Sequence, residues 1–347
     1  MKEILSVRGI HYDRPKRMKK FLMAHIIKPL MKECDFFSCD RPINCSVSKY
    51  SNYSQIRKKI SDKNEGLFSL IFNQAIDLEV PFRFLEYRNY SKFAGISAER
   101  DNLEQQLLTK IKKNELSKYD VLDEITLFLK KNISMIQQRD ADIANNFFNS
   151  LDLMGDNSCI FYGALHNWDR RVFNEFRNNN HFELYFMMPD YSKHEDGLYI
   201  NNALISRIIL SKSNFEKGLS NLTDTIFLTE LLSDVFKQYG DSVQKELFHK
   251  LSNKKFIYSD TSRFQGDLIL YSEMNEYFGE FFGYMRDNKG KKIIFKEFED
   301  KIQSLSENNL KAVNEIMIEK FYLALDYLQG NRDCISQEDK SKGTKVF

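Results

Sequence analysis

The sequence predicts an α/β protein, a mostly parallel sheet flanked by helices and followed by a mainly helical C-terminal unit. Three observations carry this. Short apolar runs end near residues 9, 40, 86, 163 and 188. Stretches with apolar residues at helical spacing separate them, an alternation that covers a parallel sheet with helices on both faces. After about residue 190 the runs give way to long helical periodicities.

Residues 3–10 form the first strand, ending at Gly9, and Asp13-Arg14-Pro15 is a good helix start. Met18, Phe21, Leu22, His25 and Ile26 then recur on one helical face, and Pro29 is expected to kink or end that helix before a strand over 35–40. A polar segment to Asn64 precedes an amphipathic helix carrying Leu67, Phe68, Ile71, Phe72, Ala75 and Ile76. A third strand is expected over Val80–Leu85. Two helical stretches over 98–131 lead to a helix with Ile133, Ile136, Asp140, Ile143, Ala144 and Phe147 on or near one face. Gly155 to Ser158 turns the chain into a strand at Cys159–Gly163, a helix opens at Asn167 or Trp168, and a strand follows over Phe182–Met188. Further on, helices are expected near 199–213, 221–251, 266–287 and 308–329, with one strand at 255–259.

A chain of 347 residues exceeds what one hydrophobic core usually spans, so two units are expected: residues 1–190 as the α/β domain and 191–330 as the helical unit, with a flexible tail at 331–347. Hydrophobic residues at 42% and aromatics at 14% exclude global disorder. The net charge of +2 comes from interspersed charges, so nothing calls for nucleic acid or an anionic membrane. Five cysteines without a Cys-x-x-Cys spacing fit a reducing, cytoplasmic setting. Neither a signal peptide nor the roughly 18 apolar residues of a membrane span is visible.

In an open parallel sheet, ligands bind beyond the carboxyl ends of the strands, where loops converge and helix N-termini supply positive potential. The predicted ends carry His11, Asp40, Glu86 with Arg88, and His166. Two imidazoles and two carboxylates suit acid/base chemistry, or can ligate one divalent metal ion with positions open for water. Arg88 and Arg41 suit an anionic group or an oxyanion. Each residue also has an ordinary reading. His11 and His166 precede helices, Asp40 can cap a turn, and Glu86 can pair with Arg88. His11 and His166 both follow a glycine within three residues at a strand end, which favours a shared site. His25 reads as a core or boundary residue, and the cysteines as inert thiols. No Gly-x-Ser-x-Gly elbow or phosphate-binding glycine loop is present.

Taken in order, Gly9-Ile-His11, Asp40 after Phe-Phe-Ser-Cys, Leu85-Glu86-Tyr-Arg88, Arg139-Asp140 and Gly163-Ala-Leu-His166 resemble the motifs of a broad superfamily. It includes TraB/PrgY proteins, Tiki metalloproteases, erythromycin esterases and ChaN-like proteins. The resemblance covers about residues 1–190. Gly9 and His11 stand one residue closer than in a Gly-x-x-His pattern, and Asp40 occupies a position where glutamate is usual. The resemblance implies that His11 and His166 face each other across the crevice, with Glu86 and Asp40 orienting them or binding metal. Arg88 and Arg139 would hold anionic or carbonyl oxygens.

The expected function is therefore hydrolysis of an ester or amide bond in a small-molecule or peptide substrate, with or without a divalent metal. The alternatives are a non-catalytic binding or regulatory protein, and an effector-like module on the same fold. Aromatic helices such as the one carrying Tyr277, Phe278, Phe281 and Phe282 suit a core or a homo-oligomer interface.

Overall fold

The computed structural model describes residues 1–9, 16–39, 67–83, 85, 95, 98–99, 102, 105–107, 109–111, 113–176, 181–216 and 265–329. Its sheet contains β1 (Lys2–Gly9), β2 (Phe36–Cys39), β3 (Asn157–Gly163), β4 (Phe182–Met187) and β5 (Ile293–Ile294), in the order β2-β3-β1-β4-β5. The first four run parallel, and β5 alone is antiparallel, against β4. This is the mostly parallel, helix-flanked α/β fold that the alternating pattern predicts. None of the described helices is long and apolar enough to cross a membrane.

The strand order fixes where a crevice opens. The connection from β1 to β2 passes β3 in one direction, and that from β3 to β4 passes β1 in the other. Right-handed crossovers running in opposite directions lie on opposite faces, so the loops leaving the carboxyl ends of β1 and β3 diverge. Those two ends are in register, with Gly9 opposite Gly163. A side chain at Gly9 would collide with the Phe161 ring, whose nearest atom lies 2.3 Å from the position of a Cβ.

Side chains alternate between the two faces of the sheet. One face carries Ser6, Ile160 and Ser38 in a row, with Arg8 opposite Tyr162 beyond them. Val7, Phe161, Phe37 and Cys159 belong to the other face, and all are buried. The first face therefore brings polar groups into a core that the second fills with apolar ones.

Of the two outcomes expected at Pro29, a kink or an end, the helix does not end there. Helix α1 (Lys16–Leu22) passes through a π-helical turn (Met23–Ile27) into α2 (Lys28–Glu33), and Pro29 sits at the start of α2 without ending the helix. The Lys28 N–H reaches back five residues to the Met23 carbonyl. This wider turn takes up one extra residue just where the proline ring would press on the preceding turn and where its missing N–H would break an α-helical bond. Met18, Leu22, Ile26, Ile27 and Met31 remain buried, whereas His25, expected on that face, is exposed, with its ring tilted against Phe21 at a centroid distance of 4.9 Å.

Over the expected strand Val80–Leu85, the described residues show a single parallel bridge, between Phe82 and Phe37. The Phe37 N–H donates to the Pro81 carbonyl and the Arg83 N–H to the Phe37 carbonyl. Pro81 has no N–H to extend the ladder. Side chains hold the segment instead: Arg83 Nη1 donates to Ser150 Oγ at 2.6 Å, and the Asn146 amide donates to the Leu85 carbonyl.

Helix α3 (Leu67–Asp77) buries Leu67, Ile71, Phe72 and Ala75. The stretches expected to break near 131 form one helix, α4 (Lys118–Phe148), whose later turns bury Ile136, Asp140, Ile143, Ala144 and Phe147. Helix α5 (Trp168–Glu175) links β3 to β4. Beyond β4 come α6 (Gly197–Glu216), α7 (Gln265–Asp287), α8 (Phe295–Gln303) and α9 (Glu307–Leu328). The β5–α8 unit has no counterpart in the sequence reading, because two residues are too few to register as a strand. It is tied to the sheet by Phe298 stacked on Phe186, with ring centroids 3.7 Å apart. The expected helix near 221–251, the strand at 255–259 and the tail lie outside the described residues.

By their contacts the residues form two compact units, each discontinuous in sequence: 1–97, 134–212 and 280–305, which includes the sheet, and 98–133, 213–279 and 306–347. In the second, Val121, Met274, Phe278, Val313, Ile316, Leu323 and Leu325 are buried. There the Gln329 side chain donates to the Leu116 carbonyl and Asn309 to that of Tyr277.

Burial pushes the Cys34 thiol up to about 12 and Cys159 well above the ordinary thiol value of 9.0. A thiol held protonated when folded but able to ionise when unfolded contributes stability below about pH 9, and that stability is lost as the pH rises from 9 toward 12. Thermal unfolding of the wild type should therefore fall more steeply above about pH 9 than that of Cys159→Ala. Alkylation of both thiols at neutral pH should be slow until a denaturant is added.

Candidate functional site

The turn after β3 is built by backbone geometry before any side chain acts. The His166 N–H donates to the Gly163 carbonyl at 3.1 Å, closing a four-residue turn, and the Ala164 N–H donates to the Gly9 carbonyl at 3.0 Å. The His166 side chain is thereby placed at the carboxyl end of β3, beside the end of β1. Only 6% of its surface is exposed.

Asp140, fully buried on α4, meets it there. His166 Nδ1 lies 2.7 Å from Asp140 Oδ1, and the N–H of the next residue, Asn167, donates to Oδ2 at 3.0 Å. A carboxylate only accepts, so Nδ1 carries the proton and the basic lone pair of the neutral ring lies on Nε2. The Tyr162 ring stands edge-on to the imidazole, with centroids 5.6 Å apart. A buried carboxylate that fixes the orientation and tautomer of a histidine is the arrangement that general-base catalysis requires. It is equally the outer-shell arrangement of a metal-ligating histidine.

A second buried carboxylate, Asp169 in the first turn of α5, anchors the loop from below. It accepts Ser6 Oγ at 2.5 Å, Arg8 Nη2 at 2.6 Å and the Arg170 N–H at 2.9 Å. Arg8 and Asp169 have 3% and 0% of their side-chain surface exposed. Arg170 in turn points Nε between the two Glu299 oxygens of α8, at 2.9 and 3.0 Å. Lys212 at the end of α6 donates to the Leu305 carbonyl at 2.9 Å. A narrow gap lies among Arg8, Asn167, Arg170, Ser211 and Glu299 on its polar side and Phe295 and Phe298 on its apolar side, too tight to admit a water molecule.

Of the residues expected from sequence, His166 stands in this buried site. Arg139 is half-buried on α4 next to Asp140. His11, Asp40, Arg41, Glu86 and Arg88 lie outside the described residues. Among the described residues, no group of three or more His, Cys, Asp or Glu side chains is placed to hold a metal ion. Sequence reading left out Asp140 as the histidine's partner, together with Arg8, Asn167, Asp169, Arg170 and Glu299. Two of these carried a signal. Asp140 stands among Ile136, Ile143, Ala144 and Phe147, and Arg8 interrupts an apolar strand, and a charge in such surroundings demands a partner.

The fold and this pair define an α/β protein with a carboxylate-held histidine at the crevice end of a parallel sheet. No protein-family profile, curated protein or solved structure matches the chain.

Removing one partner from a buried, hydrogen-bonded ion pair leaves the other charge uncompensated, at a cost of about 3–5 kcal/mol. Arg8→Met and Asp169→Leu are each expected to lower stability by about that amount in chemical denaturation. The double variant Arg8→Met/Asp169→Leu should lose less than the sum, because no charge is then stranded.

Proposed function

We propose that the chain is a hydrolase of ester or amide bonds, acting on a small-molecule or peptide substrate. The observation that supports this best is the 2.7 Å contact between His166 Nδ1 and Asp140, both buried at the end of β3. In this reading Nε2 of His166 takes a proton from the attacking water while Asp140 steadies the imidazolium that forms. Arg88 and Arg139 stabilise the oxyanion, and Glu86 and Asp40 serve as the further acidic groups. The sequence resemblance to the superfamily of TraB/PrgY, Tiki, erythromycin esterase and ChaN-like proteins supports the same assignment. The cysteine usage, five cysteines with no Cys-x-x-Cys spacing, fits action in a reducing cytoplasm.

A divalent metal is compatible with this chemistry, since histidine ligands are commonly held through their other nitrogen by a carboxylate. His166 and His11 would hold it, with Asp40 and Glu86 as candidate oxygen donors. When bound, such an ion lowers the pKa of a coordinated water and so supplies the nucleophile.

One observation favours a second reading, a binding or regulatory protein that retains the fold without the chemistry. His166 is 6% exposed and the gap beside Asn167 admits no water.

Chromogenic ester and amide panels separate the two. The hydrolase reading expects turnover by the wild type and a loss of about 10²- to 10⁴-fold in kcat for His166→Ala, the usual range for a general base. Asp140→Asn should lose activity while keeping KM near the wild-type value. A wild type inert across the panel, or a His166→Ala protein as active as wild type, would overturn the reading. Divalent ions at about 100 times their Kd should stabilise the metal-assisted form by about 2.7 kcal/mol, and neither His166→Ala nor His11→Ala. Turnover without any such shift assigns metal-free acid/base chemistry.

A further inference from the structure

Asn167 occupies the N-cap of α5, where asparagine ordinarily turns its side chain back onto the helix and stabilises it by about 1 kcal/mol. Here it makes no such bond, and its backbone lies at φ −128° and ψ 33°. Its amide reaches the other way. Nδ2 donates to the Ser211 carbonyl on α6 at 3.1 Å, and Oδ1 faces Ser211 Oγ at 3.4 Å and Arg8 Nη2 at 3.5 Å. The residue is 2% exposed, so these contacts are made without competition from water. Its backbone N–H donates to Asp140 Oδ2, the second oxygen of the carboxylate that holds His166. One side chain thus ties the loop to β1 and α6, while its own backbone completes the grip of α4 on the histidine.

We propose that Asn167 is a positioning residue for His166, a role that rests on the reading of His166 as the acting group. The bridge to Ser211 and Arg8 fixes the backbone at 167, and that backbone presents one N–H to Asp140 at the distance at which Oδ1 remains on Nδ1. A carboxylate held at both oxygens cannot rotate away from the ring. The imidazole is then locked in one tautomer, with its base nitrogen aimed in one direction. The forgone helix cap is the local cost of this arrangement. A residue chosen to stabilise α5 alone would cap it.

The difference between capping and bridging provides the test. Serine caps a helix about as well as asparagine but is too short to span to Ser211, so Asn167→Ser keeps the helix start and removes the bridge. Asn167→Ala removes the bridge and offers the helix start no cap in its place. Imidazole ¹⁵N spectra recorded against pH should show wild-type His166 in a single tautomer protonated at Nδ1. In both variants they should show a mixture of tautomers, with the exposed His181 as an unchanged internal reference. Exchange of the residue-167 amide hydrogen should quicken at least tenfold in Asn167→Ser, by more than in a control variant lowered to the same melting temperature by a substitution away from α5. Wild-type His166 spectra and wild-type amide exchange in Asn167→Ser would overturn the proposal, as would a change that appears only in proportion to lost thermal stability. These readouts need no turnover. An inactive wild type whose His166 tautomer still depends on Asn167 discards the chemistry and keeps the positioning role. An active one whose tautomer ignores Asn167 does the reverse.

Discussion

A carboxylate with no route to water must be met by donors on every side, and Asp169 is where this constraint falls on the sheet unit. It draws the hydroxyl of Ser6, the guanidinium of Arg8 and the N–H of Arg170 onto two oxygens. Two of those donors belong to the central strand and one to the helix that follows β3. The interaction therefore fixes the depth at which α5 sits on β1, and with it the turn that carries His166. Burial makes each bond strong and makes each missing bond expensive, so the geometry tolerates little adjustment. From Asp169 the same logic passes outward, since Arg170, placed by its own N–H on that carboxylate, meets Glu299 of α8.

The candidate site is the upper end of this polar seam. Asp140 approaches from α4, a helix whose neighbouring turns are apolar, so its carboxylate enters the core with hydrophobic residues as its flanks. The same helix end also secures the segment at 81–85 through Asn146 and Ser150. A single element thus positions the histidine's partner and the chain leading toward Glu86. Crevice and seam lie at neighbouring ends of β1 and β3 because the strand order changes direction there.

The fold was legible where its causes are local. Apolar runs such as Cys159–Gly163 and periodic stretches such as Leu67–Ala75 announce strand and helix by composition and spacing alone, and their ends lie where those patterns stop. Pro29 was legible as a disturbance of the first helix, whereas the π-turn that carries the chain past it was not. Val80–Leu85 reads as a strand, yet Pro81 and the side chains of α4 decide otherwise. Long-range pairing hid the rest of the site. His166 stands out beside its glycine, whereas its partner lies 26 positions earlier, and the Arg170–Glu299 pair spans 129 positions, separations no local pattern encodes. Asp140 and Arg8 announced that they needed partners without announcing which.

The two margins of the sheet bear on the behaviour of the protein at high concentration. A parallel sheet of buried strands is an adhesive object if its outermost backbone is left unpaired, because another copy can extend it. Among the described residues, a bridge at Phe82 with an imino acid beside it pairs with the outer edge of β2, and beyond β4 comes a two-residue strand that turns at once into α8. Each interrupts the row of backbone groups on which a neighbouring chain would have to pair. Short pairings of this kind shorten the stretch of backbone that a second copy could extend, which is one way a sheet protein limits edge-to-edge association.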